Sequence, residues 1–189
     1  MENIILGMGN AVLDVVISAK NTDLEDLELS KGQMTIVDQK TSDRILSKFK
    51  PVKKSSGGSV ANSIYGISAL GGKASFCGCV KNDELGIDFI SDIKESGANF
   101  LCNPIKTGAP TARCTIFVTE DAERTMVTFL GASVNLSEDN IEERFFKDVS
   151  ILFIEGYLWS SETARGSIKK AVKFAKNFKI KVAFSLSDP

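Results

Sequence analysis

Short apolar runs alternate with amphipathic stretches along the chain. Ile4-Ile5-Leu6, closed by Gly7, reads as a buried strand bounded by a turn. Residues 12–18 and 34–37 are β-like, with a polar, acidic stretch at 21–28 between them, and 41–49 carries a helical pattern. After Gly57-Gly58, residues 59–70 predict a helix rich in Ala, Ile and Ser that Gly71-Gly72 stops. A strand over 76–80 follows. Leu85, Phe89 and Ile93 then recur at four-residue spacing, which predicts an amphipathic helix over 84–96 ended by Gly97. Residues 111–119 and 124–130 are β-branched runs around Glu120-Asp121-Ala122-Glu123, a hairpin pattern. Ser137 is placed as a helix N-cap, with Leu136 and Ile141 as a hydrophobic staple. An apolar strand at 151–154, a helical stripe of Ala164, Ile168, Ala171, Val172 and Ala175, and a strand at 180–186 complete the pattern.

Two patterns are interleaved here. Strand–helix alternation implies a parallel sheet covered by helices. The runs at 12–18, 34–37, 111–119 and 124–130 do not fit that alternation and are expected to form a separate small sheet.

Composition changes this picture little. With 189 residues, 43% hydrophobic and 25% charged, the chain has an ordinary globular balance. A net charge of −1 and a pI near 5.6 argue against nucleic acid or an anionic membrane as a partner. Lys169, Lys170, Lys173, Lys176, Lys179 and Lys181 cluster locally and read as the solvated face of a helix. Polar residues interrupt the apolar start, so no secretory signal is read there. No apolar run approaches the ~20 residues of a membrane span. The expected compartment is the cytoplasm. Cys77 and Cys79 are placed on one face of the 74–80 strand, and with Cys102 and Cys114 are expected to be reduced structural thiols. The chain has no histidine, which removes Ser-His and Cys-His nucleophile pairs and weakens any metal reading.

In open α/β sheets, ligands bind beyond the carboxyl ends of the strands. That rule selects Gly7-Met8-Gly9-Asn10 and Asp14, Glu155-Gly156, and Ser187-Asp188. It also selects the turn at 57–62, whose helix can offer free N–H groups. Gly7-Met8-Gly9 lacks the third glycine of a dinucleotide fingerprint, because Val12 stands there and a strand is expected to follow. Gly57-Gly58-Ser59 lacks the Gly-Lys-Ser/Thr ending of a phosphate loop. Asn10 and Asp14 are common turn formers. Asp14, however, sits among Val12, Leu13, Val15, Val16 and Ile17, where a carboxylate needs partners. A carboxylate accepts two hydroxyl hydrogen bonds, and amides such as Asn10 and Asn62 both donate and accept. This inventory suits a polyol or ribose.

Assembled, these residues resemble the ribokinase (PfkB-type) family of carbohydrate and nucleoside kinases. The resemblance begins at Gly9-Asn10-Ala11-Val12-Leu13-Asp14. It is most specific from Gly57-Gly58-Ser59-Val60-Ala61-Asn62 through Leu70-Gly71-Gly72, Gly78 and Asp83-Glu84-Leu85-Gly86. Glu123-Arg124-Thr125-Met126, Leu130-Gly131-Ala132, Glu155-Gly156-Tyr157-Leu158 and Ser187-Asp188-Pro189 resemble its bacterial adenosine-kinase-like branch. The resemblance implies a three-layer α/β/α Rossmann-like domain with a small β-sheet lid, whose strands are inserted at about 11–18, 33–38 and 111–130 of the N-terminal portion 1–189. It implies transfer of the ATP γ-phosphate to a sugar or nucleoside hydroxyl, with ATP and Mg²⁺ as co-reactants and adenosine slightly favoured as acceptor. Asn10, Asp14, Gly57, Gly58, Ser59 and Asn62 match positions that hold the substrate. Arg124 matches a lid arginine that reaches the transferred phosphate, its plain alternative being a solvated hairpin residue. Glu155 either touches the sugar or is a structural carboxylate at a strand end.

The family's second motif, a Gly-Ala-Gly-Asp segment whose aspartate is the general base, is not found in this sequence. The fold is therefore expected to be truncated on its C-terminal side, with the isolated chain inactive. Two other readings stay open. One is a non-catalytic sugar- or nucleoside-binding fragment. The other is a dinucleotide-binding oxidoreductase, which a helix directly after Asn10 would favour and a strand would exclude. As for assembly, the lid allows either a monomer or a lid-mediated homodimer.

Overall fold

Strand β1 (Ile4–Met8) is apolar on both faces, and a strand of that kind belongs at the centre of a covered sheet. A computed structural model, which describes residues 3–187, places it there. The chain continues through β2 (Val12–Ser18), α1 (Asn21–Asp26), β3 (Met34–Ile36), α2 (Gln39–Lys48), β4 (Lys53–Gly57) and α3 (Ser59–Ala69). Then come β5 (Ala74–Cys77), α4 (Glu84–Glu95), β6 (Asn99–Phe100) and the hairpin of β7 (Ala112–Val118) and β8 (Arg124–Phe129). Short 3-10 turns lead to β9 (Val149–Glu155), then α5 (Glu162–Asn177) and β10 (Lys181–Ser185).

Five strands form a sheet in the order β10-β9-β1-β5-β6, every pairing parallel. Alternation along β1 sends Leu6 and Met8 to one face and Ile5 to the other. On the Ile5 side, α3 and α4 contribute Val60, Ile64, Phe89 and Ile93, packed on Phe76. On the Leu6 side, α5 contributes Ile168 and Ala171 against Leu152 and Ile154. The result is the expected three-layer α/β/α body.

The second sheet runs β3-β8-β7-β2-β4. Its outer face is covered by α1 and α2, where Leu24 and Ile45 pack on Ile17, Phe117 and Val127. Phe49, just past α2, meets Phe117 edge-on at 5.3 Å. The inner face looks toward the carboxyl ends of the body strands.

Four departures from the sequence pattern have physical causes. The polar stretch at 21–28 contains helix α1, held by the single buried side chain of Leu24. Strand β4, Lys-Lys-Ser-Ser-Gly, carries no apolar alternation because it is an edge strand held by its ladder to Val12–Val16. The strand expected at 76–80 ends at Cys77, so Cys77 and Cys79 do not share a strand face. All four cysteines are nonetheless buried and free, with the Cys77 and Cys102 sulfurs 3.1 Å apart. Ser137 caps only a 3-10 turn, Glu138–Asn140, with Asn140 bonding back to the Ser137 N–H at 2.8 Å. Leu136 and Ile141 are both buried, which draws the chain back to the body after one turn. Asp188 and Pro189 lie outside the described residues. Among the described residues, no helix is long and apolar enough to cross a membrane.

Phe76 is fully buried between Phe89 and Phe100, at ring distances of 5.7 and 6.1 Å. Phe76→Ala is expected to cost about 3–5 kcal/mol, read from urea unfolding.

Candidate functional site

The site is built where the chain passes between the two sheets. Asn10 leaves β1 for β2, and Gly58 leaves β4 for α3. Both crossings are tied to Glu155 at the end of β9. One carboxylate oxygen accepts the Asn10 N–H at 2.7 Å, and the other accepts the Val60 N–H in the first turn of α3 at 3.0 Å. Glu155 is only 1% exposed. Burial pushes its carboxyl up from the ordinary range, while the Asn10 and Val60 amides pull it back toward ionisation. With each oxygen accepting a backbone donor, Glu155 braces both crossings from the end of β9.

Close packing here demands glycine at two places. A Cβ on Gly9 would lie 2.6 Å from the Glu155 carboxylate. Gly58 has φ of 101°, and a Cβ there would lie 2.5 Å from the Asn10 carbonyl oxygen.

Asn10 is 6% exposed, and its side-chain oxygen has no hydrogen-bond partner. A buried amide oxygen without a donor calls for one from outside the protein. Asn10 borders a cleft of about 570 Å³ between the body and the second sheet. The body side presents Asn10, Gly58, Ser59 and Asn62.

The opposite wall follows from strand register. Asp14, Cys114, Thr128 and Ile36 form one cross-strand row on the inner face. The next row ends in Ile116, Met126 and Met34. Arg124 stands further out, at the start of β8. Asp14 is the carboxylate on this wall. Burial raises its pKa to about 6, and the nearby Arg124 guanidinium lowers it in part. Burial likewise pushes the Cys114 thiol up to about 11, which leaves it neutral and apolar in character.

Of the residues read from sequence, Asn10, Asp14, Gly58, Ser59, Asn62, Arg124 and Glu155 line this one cleft. Gly57 does not. It pairs with Val12 in the ladder, and a Cβ there would strike the Asp14 carboxylate. Gly57 makes room for Asp14. A strand, β2, follows Asn10 directly, which excludes the dinucleotide reading. Sequence reasoning missed the apolar wall, including Met34, Ile36, Ile116 and Met126, and missed Tyr157 at the rim. The period-2 alternation of the small-sheet strands carried that information, but which face looked inward was not readable from it.

The sequence pattern of the pfkB family carbohydrate kinases matches residues 16–189. Among curated proteins, a probable fructokinase-2 of Arabidopsis thaliana is 27% identical over 85% of the chain and 50% of that protein. A 5-dehydro-2-deoxygluconokinase of Clostridium botulinum is 30% identical over 70% of the chain and 40% of that protein. The chain thus spans about half the length of the curated relatives it matches. The fold superposes on the crystal structure of adenosine kinase from Sinorhizobium meliloti with a TM-score of 0.89 at 35% identity, covering 100% of this chain and 57% of that one. A probable sugar kinase of Rhizobium etli gives a TM-score of 0.89 at 35% identity, covering 99% and 57%.

Glu155→Gln replaces one acceptor oxygen by a donor, so it leaves either the Asn10 or the Val60 N–H unsatisfied. Urea unfolding is expected to show a loss of about 1–3 kcal/mol. Asp14 gives a pH-dependent counterpart. Its pKa rises from 3.8 in the unfolded chain to about 6 in the fold, so the fold retains the proton longer. That favours folding at low pH and is lost as pH climbs through this window. The stability of Asp14→Asn relative to wild type is therefore expected to rise between about pH 4 and 6 and then level off.

Proposed function

Because the chain belongs to the pfkB family of carbohydrate kinases, we propose that it provides the acceptor side of ATP-dependent phosphoryl transfer to a nucleoside hydroxyl, with adenosine the favoured acceptor. The observation that carries this reading is the two-sided cleft. A ribose meets the polar groups of Asn10, Asp14, Ser59 and Asn62. A flat apolar base meets the wall of Ile36, Ile116 and Met126.

In this reading the ionised Asp14 carboxylate accepts two ribose hydroxyls, and the free Asn10 oxygen accepts a third donor. Arg124, at the outer end of the small sheet, contacts the transferred phosphoryl group and offsets charge as it develops. The small sheet acts as a lid that brings Asp14 and Arg124 over the body and keeps water from the reacting oxygen.

ATP and Mg²⁺ are the co-reactants the family implies, ATP supplying the phosphoryl group. Arg124 fits a phosphate contact. Among the described residues, no group of three or more Cys, Asp or Glu side chains gathers to hold a metal ion, so no residue here is assigned to Mg²⁺. Proton removal from the acceptor is assigned neither to Glu155, which is committed to backbone amides, nor to Asp14, which is committed to hydroxyls.

A free sugar is the second reading, favoured by curated relatives named for fructose and deoxygluconate kinases. Calorimetric titration of the chain with adenosine, ribose and fructose separates the two. Adenosine is expected to bind at least tenfold more tightly than ribose or fructose, about 1.4 kcal/mol. Asp14→Asn and Asn62→Ala are each expected to weaken adenosine binding about tenfold. Tighter binding of fructose would select the second reading. No binding of any of the three would sink both.

A further inference from the structure

The small sheet joins the body through two pairs of crossings. Glu155 ties one pair, through the N–H groups of Asn10 and of Val60 just past Gly58. The other pair is Thr111, entering β7, and Gly131, leaving β8. These two are held to each other, because the Ala132 N–H donates to the Pro110 carbonyl at 2.8 Å and Gly131 packs against that carbonyl with φ of 43°. The side chain that ties Thr111 to the body is Asp83, while Ala132, next to Gly131, packs in the body core.

Asp83 precedes α4 and caps it, accepting the Gly86 N–H at 2.9 Å. The same oxygen accepts the Thr111 hydroxyl at 2.6 Å. The second oxygen accepts the Thr111 N–H at 2.9 Å. The Thr111 hydroxyl oxygen in turn accepts the Lys81 N–H at 3.0 Å. Thr111 is fully buried, so water does not compete for these bonds. A helix cap alone needs one acceptor, and Asn serves there as well as Asp. Three donors converging on one carboxylate, two of them from Thr111, exceed what capping requires.

We propose that Asp83 is a positioning residue, the second hinge anchor of the small sheet, which through Thr111 sets the angle at which that sheet presents Asp14 and Arg124 to Asn10 and Asn62. Its consequence for acceptor binding rests on the kinase reading above, whereas the hinge itself does not. Asn at position 83 keeps one acceptor oxygen and so retains the α4 cap while loosening Thr111. Thr111→Val removes only the hydroxyl and leaves the cap untouched. Thr111→Ser restores it.

The test measures the hinge without any ligand. Exposed Lys40 on α2 and exposed Lys169 on α5 are replaced (Lys40→Cys, Lys169→Cys) and spin-labelled, the native thiols being buried. Pulsed electron-spin resonance then gives the distance distribution between the small sheet and the body, with circular dichroism confirming the fold of each variant. The otherwise unaltered chain and Thr111→Ser are expected to show one narrow distribution. Asp83→Asn and Thr111→Val are expected to broaden it at least twofold. Equal widths in all four overturn the proposal, and Thr111→Val decides alone if Asp83→Asn does not fold. A failure of adenosine to bind would overturn the acceptor reading without altering these widths, so the two outcomes are distinguishable.

Discussion

The bonds made by the buried carboxylate of Glu155 are the constraint on which the rest of the site depends. A carboxylate removed from water is costly unless its oxygens are met by donors. Here the donors are two backbone amides, those of Asn10 and Val60, far from Glu155 in the chain. One side chain thereby fixes three things together: the exit of the central strand, the first turn of α3, and the end of β9. The same crowding explains why glycine stands at positions 9 and 58. Asn10, whose backbone is pinned from behind, borders the cleft, and its buried side-chain oxygen has no partner within the protein.

The two sheets give the cleft two chemistries for different reasons. The body contributes chain crossings and a helix start, where polar residues and backbone groups collect. The small sheet contributes one strand face, where alternation concentrates apolar side chains. Its other face packs on α1 and α2, which gives the sheet a core of its own, while Leu13 of β2 joins the body core beside α3 and α4. Asp14 is the single carboxylate set into the apolar face, and Gly57 opposite provides the space it occupies.

A cleft with one polar and one apolar wall suits a ligand with both kinds of surface, and Arg124 adds a guanidinium to its lining. This arrangement is what supports the proposed acceptor role. The relatives run to about twice the matched length, and the binding of ATP and the proton transfer are assigned to no residue described here.

The sequence by itself determined the α/β class, the second set of strands and seven of the residues that line the cleft. Strand and helix periods are local properties, and the Gly57-Gly58 turn and Asp14 stand out against their immediate neighbours. It did not determine which role Glu155 plays, because a carboxylate at a strand end looks the same whether it faces a sugar or two buried amides. It hid β4, because an edge strand is held by its ladder and needs no apolar pattern. It did not show why glycine stands at position 57, since the clash that makes glycine necessary there comes from the neighbouring strand. Only the tertiary structure decided which face of the small sheet looks inward, and with it the apolar wall. Alternation marks two faces, but burial against α1 and α2 selects between them.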